Sequence, residues 1–249
     1  MYKRIVIKIG THVLSTKEGA LDEREIESIV TQISLLKKSG LEIVLVTSGA
    51  VSAGRSMCPV SNDTETVENK QVYAALGQVK LMQTYAKFFE KQNFLCAQIL
   101  VTKEDFRDRD HYHNMRRCFL NLLHDGVVPV VNENDVIAIK ELVFTDNDEL
   151  AGLIATQLKA DAVIMLTGVN GVMDRNPADP LAKTIPEIDF KSLPSFQKHV
   201  TQEKSLNGRG GMVTKFAVAK KLMSSGIAVH IVQGKTKHVL HAIVNGDSV

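Results

Sequence analysis

Short apolar segments alternate with longer amphipathic segments along nearly the whole chain. The apolar segments have the length and the β-branched composition of buried strands. They cover residues 4–9, 41–46, 95–101, 127–131, 161–166 and 227–232. Apolar residues at helical spacing predict helices at 22–38, within 68–91, and at 111–124, 146–158 and 212–224. Strands that alternate with helices predict a mainly parallel central sheet covered on both faces, the three-layer αβα sandwich of the α/β class.

The length and composition of the chain favour one globular domain. At roughly 150 residues per domain, 249 residues correspond to one or two domains, and no linker or repeat divides the chain. We therefore expect a single domain over residues 1–249. Four of the six prolines lie within 172–205, which we interpret as a flap or an insertion.

Charge and hydropathy exclude several classes of partner. Thirty Lys and Arg against 28 Asp and Glu leave a net charge of +2, which does not indicate a nucleic-acid or membrane-surface binder. No segment approaches the roughly 18 apolar residues that cross a bilayer. Three cysteines, Cys58, Cys96 and Cys118, cannot form a closed set of disulfides. We expect them to be buried core thiols of a cytoplasmic protein.

Three familiar motifs fail on inspection. Residues 208–213 begin like GxGxxG but end in Val213, so a dinucleotide site is not expected. Residues 234–236 resemble the end of a P-loop, but Val229 stands where its first glycine belongs. His111 and His113 have no third ligand nearby, which favours a surface or capping role over zinc.

Polar and glycine residues follow several of the predicted strands. Lys8 and Gly10 close the first strand, Ser48 and Gly49 follow the second, and Thr167 follows the strand at 161–166. Ligands of parallel α/β sheets bind at the carboxyl ends of the strands. Lys8 lies in an apolar strand, where it either reaches solvent along its aliphatic stem or meets an anion such as phosphate.

A second cationic segment lies late in the chain. Residues 207–211 are rich in glycine and lead directly into the helix predicted at 212–224. Free N–H groups and the helix dipole suit a phosphate there. Lys215 lies near this N-terminus, where a cation does not stabilise a helix, so it is either a functional residue or a solvated lysine beside a flexible loop.

Two acidic clusters complete the pattern. Residues 132–135 (NEND) follow a buried strand, and residues 146–149 (DNDE) open a helix. Each cluster alone is explained by a turn or a helix cap. Together they could hold the ammonium group of an amino acid, bind Mg²⁺ through water, or orient two lysines. Phosphoryl transfer requires cations on the transferred group, a metal on the phosphates and an aligned acceptor, and these residues supply such parts.

Five motifs together resemble the amino acid kinase family over essentially the whole chain. They read KIGTHVLS at 8–15, VTSGAVSAG at 46–54, VVPVVNENDV at 127–136, FTDNDELA at 144–151 and GRGGMVTK at 208–215. Aspartokinases and uridylate kinases differ at the opening motif. Within the family, the resemblance is strongest to the members that phosphorylate the side-chain carboxylate of L-glutamate.

The resemblance implies an activity and a set of site residues. The activity is ATP-dependent formation of glutamyl 5-phosphate, the first step of proline biosynthesis, with Mg²⁺ held on the ATP phosphates and not by protein side chains. The implied catalytic residues are Lys8, Lys215 and Asp148, with Asp148 holding both lysines. The implied substrate-binding residues are Ser48, Gly49, Ala50, Asp135 and Asn147, supported by Asn132 and Asp146. The implied nucleotide-binding residues are Lys8, Gly10, Thr167, Gly168, Arg209, Gly210, Gly211, Met212, Val213, Thr214 and Lys215. Backbone N–H groups of Gly10 and Gly49 are expected to contact phosphate.

The resemblance also carries expectations about partners. It implies a homo-oligomer, either a dimer or a tetramer, and possible contact with glutamyl phosphate reductase, the next enzyme. Many bacterial relatives carry a C-terminal RNA-binding-like PUA domain, for which 249 residues leave no room, so an RNA partner is not expected. Gly168 stands where the family usually has Asp, which puts one nucleotide contact in doubt.

Three alternatives to this activity are weighed from the sequence. A sibling kinase acting on N-acetylglutamate or another small acid would not need Asp135 as a counter-charge. A catalytically inactive amino-acid sensor is disfavoured because Lys8, Asp148 and Lys215 are all present. A plain nucleotide-binding module leaves the acidic clusters unexplained.

Overall fold

The fold is a six-stranded parallel sheet with helices on both faces. A computed structural model describes residues 2–58, 66–137, 144, 146–169, 171–173, 181–189 and 212–247. The strands are β1 Arg4–Ile9, β2 Glu42–Val46, β3 Cys96–Val101, β4 Val128–Glu133, β5 Ala162–Thr167 and β6 Ala228–Gln233. Their order across the sheet is β3-β4-β2-β1-β5-β6, and every pair is parallel. The predicted α/β class and parallel sheet are confirmed.

Eight α-helices are present in the described part of the chain. They are α1 Thr11–Leu14, α2 Glu23–Lys38, α3 Ala50–Met57, α4 Val67–Lys91, α5 Arg109–His124, α6 Asn147–Leu158, α7 Met212–Ser224 and α8 Val239–Asn245. A 3₁₀ turn at Glu104–Phe106 precedes α5. None of the described helices has the length and apolar character required to cross a bilayer.

The alternation of side chains along β1 decides how the layers are built. Ile5, Ile7 and Ile9 face one core, which α2, α4 and α8 cover. Val6 faces the opposite core, which α5, α6 and α7 cover. Because strand side chains alternate with a period of two, Lys8 lies on the same face as Val6. The sheet therefore directs Lys8 toward α6.

Three short helices escaped the sequence analysis. The helices α1, α3 and α8 have four, eight and seven residues. Segments this short do not complete enough turns to show helical periodicity, and α3 consists mostly of small and polar residues. The missed helix α3 begins directly after Gly49, so it belongs to the strand-end region that the sequence singled out.

The predicted burial of the cysteines is wrong in two of three cases. Cys58 and Cys118 are exposed, and Cys96 is partly buried in the edge strand β3. Cys58 ends α3, and Cys118 lies on the outer side of α5, next to Phe119, which fills the core. All three are free thiols.

The proline-rich segment is only partly described. An antiparallel bridge joins Met173 to Thr184, and Val172 packs against Phe216 of α7. Residues 174–180 and 190–205 lie outside the described residues, so the expectation of a flap stays a prediction.

Candidate active site

A cavity of about 340 Å³ lies at the carboxyl ends of the central strands. Residues that follow β1, β2, β4 and β5 line it, as the strand-end rule predicts. The predicted site residues among its lining are Lys8, Gly10, Ser48, Gly49, Ala50, Asn132, Asp135, Asp146, Asn147, Thr167, Gly168 and Lys215. Residues scattered along the chain are thus brought into one pocket.

Two lysines from opposite ends of the chain meet at one carboxylate. Lys8 Nζ lies 2.7 Å from Asp148 Oδ1, and Lys215 Nζ lies 2.9 Å from Asp148 Oδ2. Asp148 is fully buried, and the two lysines are 7% and 8% exposed. The two ammonium groups lie in a pocket whose lining also includes the carboxyl groups of Glu133, Asp135 and Asp146. Within that lining, Lys8 and Lys215 are the groups that can form charge-assisted hydrogen bonds to an anion.

The ionisation of Asp148 depends on these lysines. Burial by itself would raise the pKa of the carboxyl group, but the adjacent charges of Lys8 and Lys215 outweigh burial and lower that pKa. Asp148 is therefore a carboxylate at neutral pH. It keeps both ammonium groups at the same edge of the pocket.

Asp146 shapes the start of α6. Its Oδ1 accepts hydrogen bonds from the backbone N–H groups of Asp148 and Glu149, at 3.0 and 3.1 Å. Its Oδ2 accepts from the hydroxyl of Thr214 on α7, at 2.7 Å. Burial, and then the nearby charge of Asp148, raise the pKa of the Asp146 carboxyl group. Asp146 thus caps α6 and joins α6 to α7 beside the two lysines.

Carboxamide groups form the other wall of the pocket. Asn147 Nδ2 donates to Thr47 O at 2.6 Å and lies 3.0 Å from both Ser48 Oγ and Asn132 Oδ1. Asn132 Nδ2 donates in turn to Gln78 Oε1 on α4, at 3.0 Å. This network joins the ends of β2 and β4 to the start of α6. It brings together Ser48, Asn132 and Asn147, as predicted.

Gly49 provides the turn from β2 into α3. Its φ of +95° lies in the left-handed region, which favours glycine. The first N–H groups of a helix have no partner within that helix, and those of α3 begin at the pocket. The positions of Gly49 and Ala50 therefore suit an anionic or carbonyl group of a ligand.

The prediction that Gly10 offers a free backbone N–H group to phosphate is wrong. The N–H of Gly10 donates to Leu166 O at 3.0 Å, so it is already used within the structure and is not the free donor that the sequence suggested. A Cβ on Gly10 would lie 3.4 Å from that oxygen and 3.9 Å from Lys8 Nζ. Gly10 lines the pocket and lets β1 and β5 stay close where Lys8 emerges.

Thr167 and Gly168 form the pocket wall at the end of β5. The Thr167 hydroxyl donates to Val169 O at 2.9 Å, which holds the turn after β5. Gly168 is exposed, and a Cβ there would lie 3.4 Å from His12 Cβ. The side chains of His12 and Gln233 lie beside this position, and Gln233 Nε2 donates to Gly168 O at 3.2 Å.

The glycine segment before α7 lies partly outside the described residues. Arg209, Gly210 and Gly211 are not described. Met212, Val213 and Thr214 form the first turn of α7, which carries Lys215 to Asp148. The expected contacts between this segment and a nucleotide stay predictions.

The sequence analysis missed several supporting residues. Gln78 and Tyr85 on α4 reach Asn132 and Thr47, and Tyr85 OH lies 2.9 Å from Thr47 Oγ1. No motif marked them, because the sequence does not show where the end of a polar side chain on a long helix lies.

The His111 side chain is hydrogen-bonded to Asp105 at the surface, and the described residues include no cluster of metal-ligating side chains.

Comparison with known proteins identifies the family. The sequence profile described as "Amino acid kinase family" matches residues 3–233. The chain belongs to the amino acid kinase family. A glutamate 5-kinase of Chlorobaculum tepidum is 48% identical over 247 residues, covering 99% of this chain and 67% of the relative. Glutamate 5-kinases of Bacteroides thetaiotaomicron and Bacillus subtilis are 41% and 39% identical, over 96% and 98% of this chain and 66% and 67% of the relatives.

These relatives are longer than the chain described. The chain spans about two thirds of their length. The resemblance found in the five motifs is confirmed by the identity over nearly the whole chain.

Solved structures confirm the fold of this family. Carbamate kinase from Giardia lamblia bound to AMP-PNP superposes with a TM-score of 0.69 at 19% identity, covering 99% of this chain and 96% of that chain. An isopentenyl phosphate kinase superposes with a TM-score of 0.66 at 20% identity, covering 99% and 97%. The fold is therefore shared by kinases whose sequences are far apart.

Proposed function

We propose that the chain transfers the γ-phosphoryl group of ATP to the side-chain carboxylate of L-glutamate. The observation that carries this proposal is the pair of buried ammonium groups, Lys8 and Lys215, held on Asp148 at the pocket edge. The identity to glutamate 5-kinases supports the choice of acceptor. The products are glutamyl 5-phosphate and ADP.

The two lysines act on the transferring group. A carboxylate oxygen of glutamate forms a bond to the γ-phosphorus, and the bond from that phosphorus to the β–γ bridging oxygen breaks. The electron pair of the broken bond stays on ADP. Charge spreads over the phosphoryl oxygens in the transition state, and Lys8 and Lys215 stabilise it there. Their position is fixed before the substrate arrives, because Asp148 holds both.

The acceptor requires alignment and not deprotonation. A side-chain carboxylate is already ionised at neutral pH, so a general base is unnecessary. Ser48 and Asn147 offer polar groups to the glutamate, and Asp135 offers a negative charge to its ammonium group. Catalysis then consists of positioning and charge stabilisation.

Mg²⁺ fits this site as an ion carried on the nucleotide. Both oxygens of Asp146 accept hydrogen bonds and both oxygens of Asp148 face lysines, which favours a metal held by the nucleotide over one ligated directly by these two carboxylates. The chemistry that such an ion would supply is neutralisation of phosphate charge. The residues described here would meet it through water.

The experiment is acyl phosphate formation trapped as a hydroxamate. Glutamate, N-acetylglutamate and aspartate are offered separately with ATP and Mg²⁺. Signal with glutamate alone is expected. Signal only with another acid would overturn the substrate, and no signal from folded protein that binds ATP would favour the inactive sensor.

The same assignment extends to the setting of the reaction. We place it in the cytoplasm as the first step of proline biosynthesis, in a single-domain unit that forms a dimer or tetramer and supplies glutamyl phosphate reductase. The resemblance to glutamate 5-kinases supports this setting. Sedimentation of the purified protein, alone and with the reductase, tests the assembly.

A further inference from the structure

Three carboxamide side chains form a hydrogen-bonded row from helix α4 to the proposed glutamate pocket. Asn147 Nδ2 lies 3.0 Å from Asn132 Oδ1, and Asn132 Nδ2 donates to Gln78 Oε1 at 3.0 Å. Asn147 and Asn132 line the pocket, whereas Gln78 lies behind it. This hydrogen-bonded row therefore connects a pocket-lining group to a residue outside the pocket lining.

Backbone groups fix the amide orientations of two members of this hydrogen-bonded row, Asn132 and Asn147. The N–H of Glu133 donates to Asn132 Oδ1 at 3.0 Å, and a backbone N–H can only donate. Thr47 O accepts from Asn147 Nδ2 at 2.6 Å, and a carbonyl oxygen can only accept. Neither asparagine can therefore reverse its amide without losing a backbone hydrogen bond.

Gln78 completes the orientation of Asn132. With Oδ1 of Asn132 directed at Glu133 and Asn147, its Nδ2 is directed at α4, where Gln78 Oε1 accepts the hydrogen bond. Gln78 is 9% exposed. Its own Nε2 is buried and has no hydrogen-bond partner among the described residues. Among the described residues, Asn132 is therefore the hydrogen-bond partner of the Gln78 carboxamide.

We propose that Gln78 is a positioning residue for glutamate binding, acting through Asn132 on Asn147. The proposal rests on the proposed function, since it assigns the Asn147 side of the pocket to glutamate. Asn147 Nδ2 has two hydrogens and lies within 3.0 Å of three oxygens, those of Thr47, Ser48 and Asn132. Its Oδ1 is then the acceptor left for a donor group of the substrate. Gln78 therefore acts by holding Asn132, whose Oδ1 is one of the acceptors that fix the Asn147 amide.

The kinetic test compares substitutions of two buried glutamines. Gln78→Met removes the acceptor, and Gln78→Glu retains an oxygen facing Asn132. Gln32 on α2 is the matched control, because it is 6% exposed and its Oε1 accepts from Leu240 N at 3.1 Å, away from the pocket. Gln78→Met is expected to raise KM for glutamate on the order of tenfold, with KM for ATP changed less than about twofold. Gln78→Glu is expected to restore KM for glutamate to within about threefold, and Gln32→Met to leave it unchanged.

Several outcomes would overturn the proposal. A folded Gln78→Met variant with an unchanged KM for glutamate would overturn it. Equal changes in the KM for glutamate and the KM for ATP would also overturn it, because they indicate general loosening of the fold. Should Gln78→Met fail to fold, Gln78→Asn, which withdraws the carboxamide by one methylene group, gives the same comparison.

A second measurement separates this proposal from the proposed function. Hydrogen exchange of the side-chain amides of Asn132 and Asn147, followed by NMR on asparagine-labelled protein, needs no turnover. Faster exchange in Gln78→Met but not in Gln32→Met is expected. If the wild-type protein does not phosphorylate glutamate while this difference is present, the proposed function fails and the positioning of Asn147 stands. Unchanged exchange would refute the positioning itself.

Discussion

The carbonyl oxygen of Ala50 lies directly against Gly77, where α3 crosses α4. A Cβ placed on Gly77 would lie 1.8 Å from that oxygen, and a Cβ on Gly54 would lie 1.9 Å from Tyr73 O. The two helices therefore touch backbone to backbone. Since Ala50 lines the pocket at the first position of α3, this close packing sets where the pocket wall lies.

Replacement of Gly77 by alanine should therefore move α3 away from α4. We expect Gly77→Ala to lower the free energy of unfolding by about 1–3 kcal/mol and to raise KM for glutamate. Gly152→Ala on α6 is the control, because its Cβ would meet only the side chains of Val218 and Leu222, with Val218 Cγ1 at 3.0 Å. Urea unfolding measures the free energy of unfolding, and steady-state kinetics measures KM. Equal effects of Gly77→Ala and Gly152→Ala would contradict the prediction.

Loss of either lysine of the buried cluster should stop catalysis. We expect Lys8→Ala and Lys215→Ala each to abolish turnover in folded protein, because each ammonium group stabilises the transferring phosphoryl group. Lys103→Ala is the control, since Lys103 pairs with Glu149 at 2.8 Å outside the pocket lining. Near-normal turnover in a folded variant of Lys8 or Lys215 would refute the mechanism.

Asp148 should contribute to stability in a pH-dependent way. Its pKa is lowered in the folded protein, so its ionised form stabilises the fold above the ordinary pKa of aspartate, and this contribution is lost as pH falls through the lowered pKa. We expect Asp148→Asn to cost about 3 kcal/mol at neutral pH, where the two lysines lose their counter-charge. The free energy of unfolding, measured at several pH values, should differ less between Asp148→Asn and wild type in acid than at neutral pH. A difference that does not depend on pH would contradict this prediction.

Asp146 should respond in the opposite sense. Burial and the charge of Asp148 raise its pKa, so its ionised form costs stability above that pKa. We expect Asp146→Asn, which retains a capping oxygen, to be as stable as wild type or more so at neutral pH. Asp146→Ala should lose about 0.5–2 kcal/mol, because the N–H groups of Asp148 and Glu149 lose their acceptor. Thermal unfolding measures the stability of both variants. An equal loss of stability in Asp146→Asn and Asp146→Ala would show that the capping oxygen is unimportant.

The charge of Asp135 should discriminate between free and acylated substrates. We expect Asp135→Ala to raise KM for glutamate about ten- to a hundredfold, because the ammonium group loses a charged partner. An acylated amine carries no such charge, so activity on N-acetylglutamate would be spared. The hydroxamate assay with both acids measures this, with Asn134→Ala as the neighbouring control. Unchanged KM for glutamate would remove Asp135 from the proposed binding site.

Much of the fold follows from local pattern. The β-branched composition of 4–9 before Gly10 and the spacing of Ile26, Ile29 and Ile33 place β1 and α2 within a residue or two of their observed bounds. The strand-end rule also placed Ser48, Asn132 and Thr167 at one edge of the sheet. Short helices such as α3 were missed because they do not complete enough turns to show a period.

The sequence by itself determined the succession of the six strands and the five longer helices along the chain, the parallel sheet and most of the polar residues at its edge. Hydrophobic periodicity and strand-end chemistry are local properties of the chain, so no tertiary contact was needed for these predictions. The tertiary structure alone decided how closely Lys8 and Lys215 meet Asp148, that the N–H of Gly10 is already used, and that Gln78 reaches Asn132 from behind the pocket. The physical reason is that these contacts join segments distant in sequence, and their geometry depends on how whole helices pack against the sheet.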